Sequence, residues 1–85
     1  MYIVQFTPRG ERELKALPRS VQQRILTKLE DNVRLPRPLV RAKPLTDLPP
    51  ATHRFRVGIY RLSFYIEGAI IFVERVEKRD RAYRH

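Results

Sequence analysis

Prolines crowd the middle of the chain and divide it into two halves of different character. They are Pro36, Pro38, Pro44, Pro49 and Pro50. Because proline lacks a backbone N–H and has a fixed φ, this segment can neither continue a helix nor join the middle of a sheet. We therefore predict a surface connection, pinned by Leu39, Leu45 and Leu48. It is too short to separate two domains, so residues 1–85 are expected to form one.

The half before the prolines has the pattern of one strand and two helices. In residues 2–6, Tyr2, Val4 and Phe6 recur at every second position and share one face, which predicts a strand. Thr7 and Pro8 are typical of a helix N-cap and a first helical residue. A second helix, to about residue 35, is predicted by the apolar face of Val21, Ile25, Leu26, Leu29 and Val33. Two starts stay open for it: Pro18 as the first helical residue, or Ser20 as the cap.

The half after the prolines has the pattern of three strands, over residues 53–57, 59–66 and 69–76. Alternation places Phe55 and Val57 on one face of the first strand. The other face of the first two strands carries Arg54, Arg56, Arg61, Ser63 and Tyr65. Strict alternation in the third strand groups Ile70, Phe72 and Val76 on one face and Ile71, Val73, Arg75 and Arg79 on the other.

The predicted order is strand, helix, helix, strand, strand, strand, which is an α+β fold. We expect two N-terminal helices to pack on one face of a mostly antiparallel four-stranded sheet, and the other face to stay open. Arginines that are dispersed in the sequence then gather on the open face. They are Arg54, Arg56, Arg61, Arg75 and Arg79.

The charge of the chain predicts a polyanionic partner. Lys and Arg total 18 against 9 Asp and Glu, a net charge of +9. Solubility does not need so large an imbalance, and self-repulsion destabilises a folded protein. Arginine dominates the excess, and its guanidinium binds phosphate in bidentate geometry and stacks on bases, which favours RNA. An acidic protein partner would satisfy the same surface, and the two partners are compatible.

The residue types that are absent or sparse narrow the possible functions. Cysteine is absent, which excludes disulfides, Cys-ligated zinc and a thiol nucleophile. The two histidines, His53 and His85, are too far apart to suggest a metal site, and no cofactor is expected. No apolar stretch is long enough to span a membrane and the N-terminus lacks a signal-peptide pattern, so a cytoplasmic location is expected.

Three segments, taken together, resemble a known family. Residues 17–25, LPRSVQQRI, are similar to the family pattern LPxxVxxRI. Residues 53–62, HRFRVGIYRL, are similar to YRIRVGDYRxxY, and residues 76–83, VEKRDRAY, are similar to VGKRxxxY. Over its whole length the chain thus resembles the RelE/ParE superfamily of bacterial and archaeal toxins.

The resemblance implies one of two activities. Toxins of the RelE branch cleave mRNA in the ribosomal A site, where the 2′-hydroxyl of the messenger attacks the adjacent phosphate. Toxins of the ParE branch inhibit DNA gyrase and are not enzymes. The catalytic positions of the RelE branch are matched here by Arg54, Arg56, Arg61, Arg79 and Tyr83. ParE toxins generally lack the complete set, so the mRNA interferase branch is favoured; an inactive RNA-binding relative is a third reading.

The sequence departs from the RelE pattern at residues that matter for proton transfer. RelE has lysines where Arg54 and Arg56 stand, and an arginine cannot be deprotonated at useful pH. The general base or acid is therefore sought among Tyr83, Lys78, His53 and His85. Some relatives use a C-terminal histidine, which makes His85 a candidate, whereas the alternation places His53 with Phe55 and favours a structural role. Glu77, where the family often has Gly, either orders Arg79 or blunts its charge.

Further basic residues are candidates for RNA contact, and a protein partner is implied. Lys43, Lys78 and Arg81 are expected to bind RNA with Arg54 and Arg56, whereas Arg37 and Arg41 either touch RNA or are merely solvated. Arg75 is interpreted as an ion-pair residue. The partners implied by the resemblance are the ribosome, mRNA and a cognate antitoxin, acidic or amphipathic, that wraps the toxin.

Overall fold

A computed structural model describes residues 2–78. One strand comes first, two α-helices follow, and the other strands of the sheet come after the helices. The elements in chain order are β1 (Ile3–Phe6), α1 (Pro8–Lys15), α2 (Arg19–Val33), a 3₁₀ helix (Pro38–Arg41), β2 (Lys43–Pro44), β3 (His53–Val57), β4 (Tyr60–Glu67) and β5 (Ile70–Lys78). The sites expected at Arg79, Arg81, Tyr83 and His85 lie outside the described residues. Neither α-helix is long and apolar enough to cross a membrane.

The sheet has the order β1-β5-β4-β3-β2, with β1 parallel to β5 and the other pairs antiparallel. The predicted α+β class and mostly antiparallel sheet are confirmed, but the count of four strands is wrong. The fifth strand is β2, which is two residues long and lies in the proline-rich segment. Pro44 is tolerated there because β2 is an edge strand, where a missing N–H costs no central hydrogen bond.

Local sequence signals set where α1 begins but do not fix the start of α2. The Thr7 hydroxyl accepts a hydrogen bond from the Gly10 N–H at 3.1 Å, and Pro8 occupies the first turn, as predicted. Helix α2 begins at Arg19, so neither predicted start is right: Pro18 precedes the helix as an N-cap without a side-chain bond, and Ser20 lies inside it. Its last residue, Val33, comes two residues before the predicted end.

The core lies between the helices and one face of the sheet. Ile25 and Leu29 of α2 are fully buried against Phe55, Leu62 and Phe64, which confirms the predicted apolar face of the helix. Burying a side chain of this size contributes about 1.5–3 kcal/mol. Both helices therefore cover the same side of the sheet, and the opposite side is left without a helix from residues 2–78.

A β-bulge in β5 changes the predicted pairing of faces. Val73 lies opposite Phe64, but Arg75 lies opposite Ser63, so Glu74 is an extra residue. The expected strict alternation is therefore wrong after Val73. Val76 returns to the core with 6% exposure, and Arg75 turns to the open face.

Candidate nucleic-acid interface

The register of the sheet brings three predicted site residues together on the open face. Arg56 lies directly opposite Arg61, and Arg54 lies opposite Ser63. Residues opposite each other in antiparallel strands point to the same side, with β-carbons about 5 Å apart. Phe55 and Val57, which alternate with Arg54 and Arg56 along β3, point to the opposite side, into the core. The predicted convergence of Arg54, Arg56 and Arg61 is therefore present in the structure.

Strand β2 extends the basic surface beyond the three arginines. Lys43 lies opposite Arg54 on the outer side of β3. Arg41, Lys43, Arg54 and Arg56 line a surface groove of about 250 Å³, which we call the basic groove. Lys43 was a predicted RNA contact. For Arg41 the sequence leaves RNA contact and solvation equally open, because proline-rich sequence gives no sign of the 3₁₀ helix and short strand that carry it to the sheet.

The four cations of the basic groove have no ion-pair partner among residues 2–78. The ion pairs in this part of the chain join Arg9, Lys15, Arg34 and Arg75 to glutamates. Like charges that line one groove repel one another. A bound anion would relieve that repulsion, so the groove is suited to a phosphate-bearing ligand.

Arg75 shares the open face but is neutralised. Its Nε lies 3.1 Å from Glu13 Oε2, and its Nη2 lies 2.9 Å from Glu77 Oε2. The other oxygen of Glu13 accepts a hydrogen bond from the Val76 N–H at 2.7 Å. Glu13 thereby joins α1 to β5 just beyond the end of β1. The interpretation of Arg75 as an ion-pair residue is confirmed, and Glu77 is engaged by Arg75.

The other end of the open face is apolar and aromatic. Tyr65 stacks on Phe72 with ring centroids 5.3 Å apart and an interplanar angle of 25°. Ile3 of β1 lies opposite Ile70 of β5, two residues along β5 from Phe72, and Ile3 is 58% exposed. The open face therefore offers cations at one end and exposed apolar surface at the other. An amphipathic partner with acidic groups would complement both.

Two predicted candidates lie apart from the arginine cluster. The His53 ring stacks on Phe64 at 5.5 Å, on the helix-covered side, and its Nδ1 lies 2.9 Å from Thr52 Oγ1. These contacts match the structural role favoured for it. Lys78, at the end of β5, lies opposite the core residue Tyr60, so the structure does not bring it beside Arg54 and Arg56. Among residues 2–78, no group of three or more His, Asp or Glu side chains is placed to hold a metal ion.

Comparison with known protein families shows to which family the chain with this open face belongs. A family model of ParE toxins, from the ParDE type II toxin–antitoxin systems, matches residues 4–83. The chain belongs to this toxin family. The predicted membership of the RelE/ParE superfamily is thereby confirmed, and the toxin is one member of a toxin–antitoxin module.

Solved structures from both branches share the fold of the toxin. The toxin–antitoxin complex RelBE2 from Mycobacterium tuberculosis has a TM-score of 0.77 and 29% identity, over 92% of this chain and 98% of that one. The isolated E. coli RelE toxin has a TM-score of 0.71 and 24% identity, over 99% of this chain and 93% of that one. The chromosomal ParDE system from P. aeruginosa has a TM-score of 0.71 and 14% identity, over 94% and 98%. A comparison with curated protein sequences finds no match.

Proposed function

We propose that the toxin is an endoribonuclease that cleaves mRNA in the ribosomal A site. The observation that carries the proposal is the convergence of Arg54, Arg56 and Arg61 on an open sheet face, with two more cations beside them. Cleavage by attack of a 2′-hydroxyl builds negative charge on phosphorus and on the leaving 5′-oxygen. Fixed guanidinium groups stabilise that charge as it develops, which is a large contribution in many enzymes.

The role proposed for each residue follows from its position in the sheet or in the sequence. Arg61 stands on β4, inside the sheet, and with Arg79 it is assigned to the scissile phosphate. Arg54 and Arg56, one strand further out, hold the RNA backbone and add to charge stabilisation. Tyr83 either stacks on a base or transfers a proton, and His85 is the other candidate for proton transfer because an ordinary imidazole titrates near neutrality.

An antitoxin is the second partner that we propose. The mixed character of the open face, cationic at Arg56 and apolar at Ile3 and Phe72, suits an acidic, amphipathic segment that folds as it binds. Structural relatives from M. tuberculosis and Pyrococcus horikoshii are toxin–antitoxin complexes, which supports this partner. Free toxin would act in the cytoplasm, where ribosomes translate.

Inhibition of DNA gyrase is the alternative function, and the family match favours it. The matching family model is that of ParE toxins, over residues 4–83. A ParE-like toxin would use the basic face for protein or DNA contact without cleaving RNA. Arg54, Arg56 and Arg61 would then be binding residues only.

Induced expression in cells separates the two functions. If the toxin is an mRNA interferase, growth stops and primer extension on a translated reporter mRNA finds new 5′ ends inside codons. The same transcript with its start codon removed is the control, and it should stay intact because it is not on ribosomes. Intact mRNA together with loss of plasmid supercoiling would instead assign the toxin to gyrase.

A further inference from the structure

The basic groove is assembled from two neighbouring segments of the chain, residues 41–43 and 54–56. Arg41 ends the 3₁₀ helix, Lys43 lies in β2, and Arg54 and Arg56 lie in β3. Hydrogen bonds fix the backbone on both sides of the two outer cations. The Ala42 N–H donates to the Leu39 carbonyl at 2.9 Å, and the Leu45 N–H donates to the Thr52 carbonyl at 2.9 Å. The proline-rich segment is thus ordered so that two cations stand beside the arginines of β3.

The cations form a track rather than a single point. Neighbouring strands lie about 4.8 Å apart, so β2 and β4 are separated by roughly 10 Å. Lys43 on β2, Arg54 and Arg56 on β3, and Arg61 on β4 span that width. Charges repeated along a line match the repeated phosphates of a polynucleotide backbone.

The lining of the basic groove favours a nucleic acid over a protein as its ligand. All four of its lining residues are cationic, and none is apolar. Protein–protein interfaces have apolar centres depleted of charge, whereas nucleic-acid interfaces are polar and positively charged. The exposed Ile3 and the half-buried Phe72 lie at the other end of the open face. The groove therefore fits phosphodiesters better than it fits a protein segment.

We propose that Arg41 and Lys43, with Arg54 and Arg56, form a phosphodiester-binding subsite beside the scissile position, which holds the backbone of an RNA strand. The proposal rests on the proposed nuclease function for the identity of the RNA. It assigns Arg41, which the sequence left open, to the RNA interface together with Lys43 of the same proline-rich segment. Messenger RNA and ribosomal RNA carry the same chemistry, and either can occupy the subsite.

The test is the salt dependence of binding to an uncleavable RNA. The probe is a fluorescent single-stranded RNA with 2′-O-methyl groups throughout, which removes the attacking hydroxyl. The variant is Arg41→Ala with Lys43→Ala, and the matched control is Arg12→Ala with Lys28→Ala, which removes the same charge from exposed positions on α1 and α2. Each phosphate contact on a single strand contributes about 0.7 to the slope of log K against log salt concentration.

The groove variant is expected to lose about 1.4 from that slope, the value for two contacts, and the control to keep the wild-type slope. A charge-conserving variant, Arg41→Lys with Lys43→Arg, should retain the slope, which separates lost charge from misfolding. Equal loss in the groove variant and the control would overturn the subsite, as would no loss in either. Weaker antitoxin binding by the groove variant with an unchanged RNA slope would assign the groove to protein and also overturn the proposal.

Two further arms separate the RNA source and the proposed function. Loss of slope with ribosomes that lack mRNA assigns the subsite to ribosomal RNA, and loss only with the oligonucleotide assigns it to mRNA; both results support it. If the wild-type toxin cuts no mRNA but the groove variant loses slope, the nuclease function is wrong while the subsite stands. If the toxin cuts mRNA and the slope is unchanged, only the subsite is wrong.

Discussion

Gly10 is the position where a single added carbon should damage the fold most clearly. It lies in α1 against β5, and a β-carbon there would approach the Val73 carbonyl oxygen closer than the 3.0 Å at which real β-carbons stop. It would also lie 3.1 Å from the carbonyl carbon. Both atoms are backbone atoms of an interior strand, which cannot rotate away. In Gly10→Ala, helix α1 must therefore retreat from the sheet.

The cost follows from the contacts that the retreat would disturb. Glu13 holds the Val76 N–H at 2.7 Å, and a hydrogen bond to a charged group is worth about 1.5–3 kcal/mol. Overpacking adds about 1–3 kcal/mol, and the better helix propensity of alanine returns about 1 kcal/mol. The free energy of unfolding should fall by about 1.5–5 kcal/mol. For a domain of this size, that lowers Tm by at least about 6 °C.

Thermal unfolding followed by circular dichroism measures the effect. Arg12→Ala is the control on the same helix, because Arg12 is exposed, and it should change stability by less than about 0.5 kcal/mol. An unchanged or raised Tm for Gly10→Ala would refute the reasoning. It would mean that α1 can move from β5 at no cost, and that the alanine gains only its ordinary helix propensity.

Three other predictions test the core and the proposed chemistry. Ile25→Ala should lower the free energy of unfolding by about 2–5 kcal/mol in urea titrations, whereas Arg56→Ala should leave it nearly unchanged; equal losses would contradict the open-face model. Arg79→Ala should slow single-turnover cleavage about 100- to 1,000-fold with little change in ribosome binding, and near-normal cleavage would remove its assignment. Deleting His85 should slow the same step strongly if it transfers a proton; an unchanged rate would return that role to Tyr83 or Lys78.

Short-range patterns were sufficient to predict most of the fold. Thr7 and Pro8 begin α1 as their side chains dictate, because capping depends only on neighbouring residues. The spacing of Ile25 and Leu29 located the buried face of α2. Alternation in β3 and β4 placed Arg54, Arg56 and Arg61 together, because a period of two determines sidedness without knowledge of the pairing partner.

Features that depend on distant contacts were not predictable. The bulge at Glu74 is invisible in the sequence, because Ile70, Phe72 and Val76 are all apolar and fit either face. It forms where Glu13 of α1 replaces β1 as the neighbour of β5. The role of Arg41 stayed open for a similar reason. Its place beside Arg54 depends on the two-residue pairing of β2, which no periodicity can indicate in so short a strand.

Single-turnover cleavage on programmed ribosomes tests the central claim most directly. A defined mRNA is placed in the A site, toxin is added at saturation, and product is followed by primer extension, with gyrase supercoiling assayed in parallel. The wild-type toxin should cut inside the A-site codon and leave gyrase active. Arg61→Ala should cut about 100- to 1,000-fold more slowly, and Arg12→Ala should cut normally. Intact mRNA at saturating wild-type toxin, with supercoiling inhibited, would contradict the account.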